Sequence, residues 1–387
     1  MKKIFIILLI TILLLPLNLV KAEENLNLAE SAKSAILMEA STGEIIFEKN
    51  SHEKLAPASM TKIMGMLLVI ESIEKGVISW DEMVTVSENA SGMGGSQILL
   101  STGEKMSVRD LFKGVAIASG NDAMVALAEK IAGTEDLFVN MMNKRAKELG
   151  LKNTNFKNSH GLDEANHYST AYDKAIISRE LVKHEEVLKY TSIYEEYLRA
   201  DTDEKVWLVN TNKLVRFYDG VDGIKTGSTN NAGYCLAVTA KKNNMRIIAV
   251  VMGEPDSQTR NKEVSEMLDY AFAQYGIEQL LSKNSIIGQR EVEKGKEKYV
   301  ELVPVEDVTV LYKKMEGKKN ATYELEIDNL KAPLKKGDVV GKLKIIENDK
   351  VTRSIDITVN KDVKKANILE LYWRYLKDIF VGDVRLK

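Results

Sequence analysis

Pro57-Ala58-Ser59-Met60-Thr61-Lys62 sets a serine and a lysine three residues apart at the head of an apolar run. Three residues along a helix bring side chains to nearly the same face, so the spacing predicts that Ser59 and Lys62 are neighbours. Pro57 suits a helix start, and Met64, Met66, Leu67, Leu68, Val69, Ile70 and Ile73 carry the helix on to Gly76. A helix apolar nearly all round belongs inside a domain. Two readings of the pair compete. In one, Lys62 snorkels to the surface and Ser59 caps the helix. In the other, a desolvated lysine takes the serine's proton and the serine attacks a carbonyl. The stretch alone leaves both open.

At 387 residues the chain can bury a large core, and two domains are expected. Hydrophobic residues at 44% and charged ones at 28% exclude a disordered or fibrous protein. Residues 1–22 stand apart from the fold. Lys2 and Lys3 precede the apolar run from Ile4 to Leu15, and Val20-Lys21-Ala22 offers small residues for cleavage. That is the pattern of a secretory signal peptide cut after Ala22; a retained anchor is the alternative, for which the run is short. Losing Lys2, Lys3 and Lys21 and no acid takes the formal charge from -2 to -5. A mildly acidic protein has no global attraction to nucleic acid, and no nucleic-acid partner is expected. Cys235, the single cysteine, lies in an apolar strand-like run and reads as a small core residue. His52, His160, His167 and His184 show no metal-ligand spacing, so neither metal nor cofactor is expected.

In chain order, residues 34–40 and 44–49 read as strands joined by a Ser41-Thr42-Gly43 turn. A short strand is expected near Met83–Val86, and Gly92-Met93-Gly94-Gly95-Ser96 reads as a mobile loop, since no phosphate-loop lysine follows. Ser107 is a plausible N-cap. Residues 135–200 read as mainly helical, interrupted by the loop Asn158–Asp163. Residues 206–210, 213–217, 233–240 and 246–252 read as β, and a helix closes the region from about Gln258 to Tyr275. The expected fold class is α+β, an antiparallel sheet flanked by helices, over residues 23–276. Residues 277–362, with short alternating stretches and no helix, read as a small all-β domain. Residues 363–387 form an amphipathic tail. Ile368, Leu369, Tyr372, Trp373, Tyr375, Leu376, Ile379 and Phe380 share one arc, and Glu370, Arg374, Lys377 and Asp378 fall opposite. Its Trp and Tyr side chains suit a bilayer interface, so a membrane surface is favoured over packing on protein.

Three motifs stand in order: Ser59-x-x-Lys62, Ser119-x-Asn121 and Lys225-Thr226-Gly227. With the flanking Pro57–Lys62, Ser119–Ala123, His160-Gly161-Leu162-Asp163 and Asp222–Gly227, the chain resembles the low-molecular-weight penicillin-binding proteins, the D-alanyl-D-alanine carboxypeptidases of peptidase family S11. The resemblance covers essentially the whole mature chain. It implies a penicillin-binding, β-lactamase-like transpeptidase fold followed by the β-domain and tail.

It also implies roles. Ser59 is the nucleophile, Lys62 its base, and Ser119 a relay toward the leaving amine. Asn121, Lys225, Thr226, Gly227 and Ser228 bind substrate, with backbone N–H groups of Ser59 and Ser228 forming the oxyanion hole. The physical need is clear: an alcohol is a weak nucleophile until a base draws off its proton. Lys62 can serve only if burial and a neighbouring charge, such as that of Lys225, depress its pKa. The implied substrate is a peptidoglycan stem pentapeptide, and β-lactams are covalent inhibitors of the same serine. The implied location is the outer face of the cytoplasmic membrane. A secreted β-lactamase shares the three motifs, but no Glu-x-x-Leu-Asn pattern follows Asn121. A non-catalytic wall-binding protein on the same fold has no use for an activated nucleophile.

Overall fold

The structure is a computed structural model that describes residues 26–381, so the expected leader at residues 1–22 lies outside the described residues. The N-terminal region is built on a five-stranded antiparallel sheet in the order β2-β1-β9-β8-β7. Its strands are β1 (Ser34–Glu39), β2 (Ile45–Lys49), β7 (Val221–Thr229), β8 (Gly233–Lys242) and β9 (Met245–Glu254). Strands from both ends of the region thus share one sheet, with β7 at an edge.

Both faces of this sheet are covered, and the period-2 alternation divides the side chains between them. From β1, Ile36 and Met38 enter one core while Ala35 and Leu37 enter the other; on β9, Ile248 and Val250 face opposite to Ile247 and Ala249. The first core holds α1 (Lys62–Glu74), α2 (Glu88–Ser91), α3 (Val108–Ala118), α4 (Asn121–Ala132), α5 (Glu135–Glu148) and α6 (Ala171–Val182). Residues 62–72 of α1 are all buried, as its sequence predicts for a central helix. β3 (Met83–Thr85) and β4 (Lys105–Ser107) form a small ribbon before α3, and Ser107 caps α3 by accepting from the Asp110 amide at 3.1 Å. α9 (Ser257–Gln274) packs on the second core.

Three local expectations are corrected. The region 135–200 is not helical to its end: after α7 (Leu188–Thr191), β5 (Glu195–Leu198) pairs with β6 (Val206–Val209). Conversely, the apolar run at 213–217 is a helical turn, α8 (Leu214–Phe217), because Asn212 Oδ1 accepts from the Leu214 amide at 3.2 Å and starts it. The glycine-rich Gly92–Ser96 loop is not free either, since Asn121 binds it at two points.

The chain runs directly from α9 into β10 (Tyr275–Leu281), which pairs with β13 (Val308–Lys313). A five-stranded antiparallel sheet lies against this pair. It comprises β11 (Gly288–Glu291), β12 (Tyr299–Pro304), β14 (Ala321–Ile327), β15 (Val339–Glu347) and β16 (Lys350–Val359) in the order β11-β12-β16-β15-β14. Val300, Leu302, Val308, Val310, Leu343, Ile345, Ile355 and Ile357 fill the space between. α10 (Ile368–Val381) follows. Among the described residues, no helix is long and apolar enough to cross a membrane.

Candidate active site

Ser59 lies on a 3-10 turn, Ala58–Thr61, that feeds straight into α1, whose first residue is Lys62. In a 3-10 turn residues i and i+3 eclipse, which brings the two side chains closer to register than an α-helix would. The turn is held from two sides by glycines. Gly161 has φ +94 and stands where a Cβ would come within 2.0 Å of Ala58 O; a Cβ on Gly227 would lie 3.0 Å from Pro57 O and 3.1 Å from the Met60 amide nitrogen. The Gly227 position therefore makes room for the nucleophile turn itself, so that edge strand β7 lies directly against Ser59.

Lys62 is fully buried, and its Nζ has three neighbours: Ser59 Oγ at 3.0 Å, Asn121 Oδ1 at 2.6 Å and the His160 carbonyl at 2.7 Å. Burial and then the Lys225 charge hold this amine well below the ordinary lysine range. A neutral amine has two N–H donors and one lone pair. The amide oxygen of Asn121 and the carbonyl of His160 accept only, so they take the two donors. The lone pair is left for the Ser59 hydroxyl.

Asn121 opens α4 and does more than accept from Lys62. Its Nδ2 donates to Gly94 O at 2.6 Å and its backbone amide to Ser96 O at 2.7 Å. Ser119, two residues earlier, closes α3 in the left-handed conformation at φ +65, and the next amide, Gly120, returns to Gly114 O at 3.0 Å. Glycine normally takes that cap position; a buried serine there is a strained placement, two residues before the Asn121 that contacts Lys62.

On the facing strand, Lys225 is buried and its ammonium donates to its neighbour's carbonyl, Thr226 O, at 3.1 Å. Burial and the Arg260 guanidinium push its pKa down to about 7. Thr226 Oγ1 donates to Thr211 Oγ1 at 2.7 Å, and Ser228 is exposed at the edge. Thr229 Oγ1 donates to Asp163 Oδ1 at 2.8 Å, so β7 is tied to the loop that carries His160. Ser59, Lys62 and Asn121 are thus in direct contact. Lys225 reaches Lys62 through its charge.

Sequence reasoning missed five participants. The His160 carbonyl acts through the backbone, which residue type does not reveal. Asp122 is buried and accepts from the amides of Ile98, Leu100 and Ala123, pinning the loop that meets Asn121. Thr211 and Arg260 come from an irregular segment and from the first turn of α9. His167 backs the site: Lys157 N–H donates to its Nδ1 at 3.0 Å, so Nε2–H donates to Thr61 Oγ1 at 2.7 Å. Burial takes its pKa down to about 3, which fixes it neutral.

Comparison with known proteins agrees over most of the chain. The family model for peptidase S11, D-alanyl-D-alanine carboxypeptidase, matches residues 20–256, and that for the penicillin-binding protein 5 C-terminal domain matches residues 275–365. D-alanyl-D-alanine carboxypeptidase DacF of Bacillus subtilis is 50% identical over 352 residues, 91% of this chain and 90% of its own. Penicillin binding protein 5 from Haemophilus influenzae superposes with a TM-score of 0.69 at 35% identity, covering 87% of this chain and 98% of its own. Penicillin-Binding Protein D2 from Listeria monocytogenes, solved in a cefotaxime-bound form, covers 62% of this chain and 97% of its own, with a TM-score of 0.57 at 32% identity. The match to the β-domain as well as the catalytic region supports a carboxypeptidase over a secreted β-lactamase. The chain belongs to peptidase family S11, the D-alanyl-D-alanine carboxypeptidases among the penicillin-binding proteins.

Proposed function

We propose that this carboxypeptidase releases the terminal D-alanine of a peptidoglycan stem pentapeptide through an acyl-enzyme on Ser59. The observation that carries this is the bonding of Lys62, a buried amine with two acceptor-only partners and one serine hydroxyl. Neutral Lys62 takes the Ser59 proton as Oγ attacks the penultimate carbonyl, forming the C–O bond. Backbone N–H groups of Ser59 and Ser228 receive the oxyanion, and the start of α1 adds its positive dipole end. As the C–N bond breaks, the proton passes through Ser119 to the departing amine. Water then attacks the ester and frees Ser59. The substrate strand runs along β7, with its terminal carboxylate over Thr226 and the charges of Lys225 and Arg260 behind it. β-Lactams acylate the same serine.

In the same reading, residues 23–276 form the catalytic domain, 277–362 the β-domain and 363–387 the tail. Residues 1–22 are a removed leader. The enzyme works at the outer face of the cytoplasmic membrane, held there by the apolar face of α10. That face is exposed along its length, with Trp373 at 67% and Phe380 at 86%.

The test is mass spectrometry of the purified protein with pentapeptide and with penicillin, following D-alanine and adduct together. The expected result is D-alanine release and a penicillin adduct on Ser59, both lost in Ser59→Ala. An adduct of undiminished yield on that variant would remove Ser59 from the mechanism.

A further inference from the structure

α10 is bonded to the β-domain along its polar side, which leaves the opposite side as its outward face. Glu370, Arg374 and Asp378 recur every fourth residue and form one stripe. All three meet a single run of chain. Glu370 lies 3.4 Å from Lys296 Nζ, and Lys298 Nζ donates to Asp378 Oδ2 at 3.0 Å. Between them, Arg374 Nη2 donates to the carbonyls of Gly295 at 2.7 Å and Lys296 at 2.6 Å. The root of the helix is fastened to the same run, since Lys296 N–H donates to Lys364 O at 2.6 Å and Ala366 N–H to Lys294 O at 2.8 Å. A reciprocal Asn367–Glu370 cap then starts the helix, at 2.8 and 2.9 Å.

This differs from a helix on a loose tether, whose polar stripe would be satisfied by water and whose facing would be set by the bilayer alone. Here Ile368, Leu369, Tyr372, Trp373, Tyr375, Ile379 and Phe380 point away from the protein while the stripe is occupied by it. The β-domain is fixed in turn to the catalytic domain. Arg353 donates to Ser41 O at 3.0 Å, Thr309 Oγ1 and Ser41 Oγ are 2.8 Å apart, and Leu311 packs into the second core of the catalytic domain.

We infer that α10 is a latched foot: the Glu370-Arg374-Asp378 stripe fixes its apolar face relative to the β-domain, so the fold sets how the cleft faces the lipid plane. This rests on the membrane reading above and adds to it a defined orientation. Its consequence is selective. Substrate anchored in the same bilayer needs the cleft held at a set attitude, whereas a free pentapeptide does not.

The experiment uses the full chain, vesicles of phosphatidylglycerol and phosphatidylethanolamine, and one stem pentapeptide supplied either free or coupled to a lipid anchor in the vesicles. The double variant Arg374→Ala, Asp378→Ala keeps every apolar residue of the face. It is expected to bind vesicles as before and to release D-alanine from free pentapeptide within about twofold of the parent rate. Amide exchange across α10 in solution is expected to rise at least about tenfold, and release from the anchored pentapeptide to fall at least about fivefold. Arg374→Lys, which keeps a charge but not the two-carbonyl fork, should fall between. If the parent chain ignores the vesicles, the membrane reading fails and the inference with it. If the parent binds but the double variant's exchange or its anchored-substrate rate is unchanged, the membrane reading stands and the latch fails.

Discussion

Gly227 carries a steric demand that its place in Lys225-Thr226-Gly227 does not announce. A methyl group there would press on Pro57 O, Ala58 Cβ and the Met60 amide, all within 3.1 Å and two of them backbone. Gly227→Ala should therefore displace the Ser59 turn from β7, costing about 1–3 kcal/mol of stability and at least about tenfold in penicillin acylation. Acylation at the parent rate, read by stopped-flow with a fluorescent penicillin, would show that the turn has room to spare. Protonation makes a second demand. Lys62 is a base only while neutral, so kcat/KM for D-alanine release should fall as pH drops through its depressed pKa. Lys225 carries its charge only below about 7 in the free enzyme, so a carboxylate substrate should bind less well as pH rises above that. The expected profile of kcat/KM is bell-shaped, and a flat one from about pH 5 to 9 would contradict both assignments. At this scale the sequence was most legible where chemistry needs side chains in a fixed order, as with Ser59, Lys62 and Asn121. It was silent on Thr211 and Arg260, which arrive from segments with no motif; His160 stands in a motif, but its role is a backbone carbonyl that residue type does not reveal.

The same contrast holds for elements. α1 was readable because it is apolar nearly all round, β1 because its apolar run stops at the Ser41-Thr42-Gly43 turn, and β9 because Ile247, Ile248, Val250 and Val251 make it β-branched. β5 was not, since Glu195-Glu196-Tyr197-Leu198 has one buried position in four and draws its pairing from β6 across a turn. α6 holds the least expected side chain. Lys174 is fully buried, lies over the Phe156 ring at 4.8 Å, and its Nζ has no hydrogen-bond partner among the described residues. Burial lowers its pKa to about 7, below the unfolded value. As pH falls from about 10 toward 7 the unfolded chain takes up this proton and the folded chain does not, so stability is lost across that window and levels off below it. The loss is on the order of several kcal/mol. Lys174→Met, close in volume and uncharged, should raise stability at neutral pH by about 1–3 kcal/mol and flatten that slope, measured by denaturant unfolding at several pH values. A destabilised variant would mean that the ammonium has a partner in solution, such as a buried water shared with the equally unpartnered Ser178 hydroxyl.

At the scale of the whole molecule, the change from mixed to purely β patterning near residue 276 separated two domains in the sequence, but nothing in the sequence described their joint. Its contacts connect residues far apart in the chain: Arg353 reaches Ser41 across 312 positions, and Lys319 stands between Glu44, just before β2, and Glu347 of β15 at 3.7 and 2.8 Å. The β1–β2 turn is the common anchor. Arg179 of α6 donates to its carbonyls from the catalytic side, at 2.5 Å to Ala40 and 2.9 Å to Ser41, while Arg353 reaches Ser41 O and Thr309 O from the other. The carboxylate of Glu39 holds the same turn by accepting from Ser41 and Thr42. Arg353→Ala removes one charge-assisted bond across the joint, to Ser41 O, and one within the β-domain, to Thr309 O; the first weakens the coupling between the domains by about 1–3 kcal/mol. The apolar contact at Leu311 and the direct passage of α9 into β10 survive the change, so the domains should stay folded but melt less cooperatively. Calorimetry should show the parent's transition broaden or divide, while D-alanine release from free pentapeptide stays within about twofold, since no atom of the joint lies at Ser59. An unaltered single transition would mean that the apolar contact and chain continuity alone couple the domains, and that the Arg353 bonds orient the joint without strengthening it.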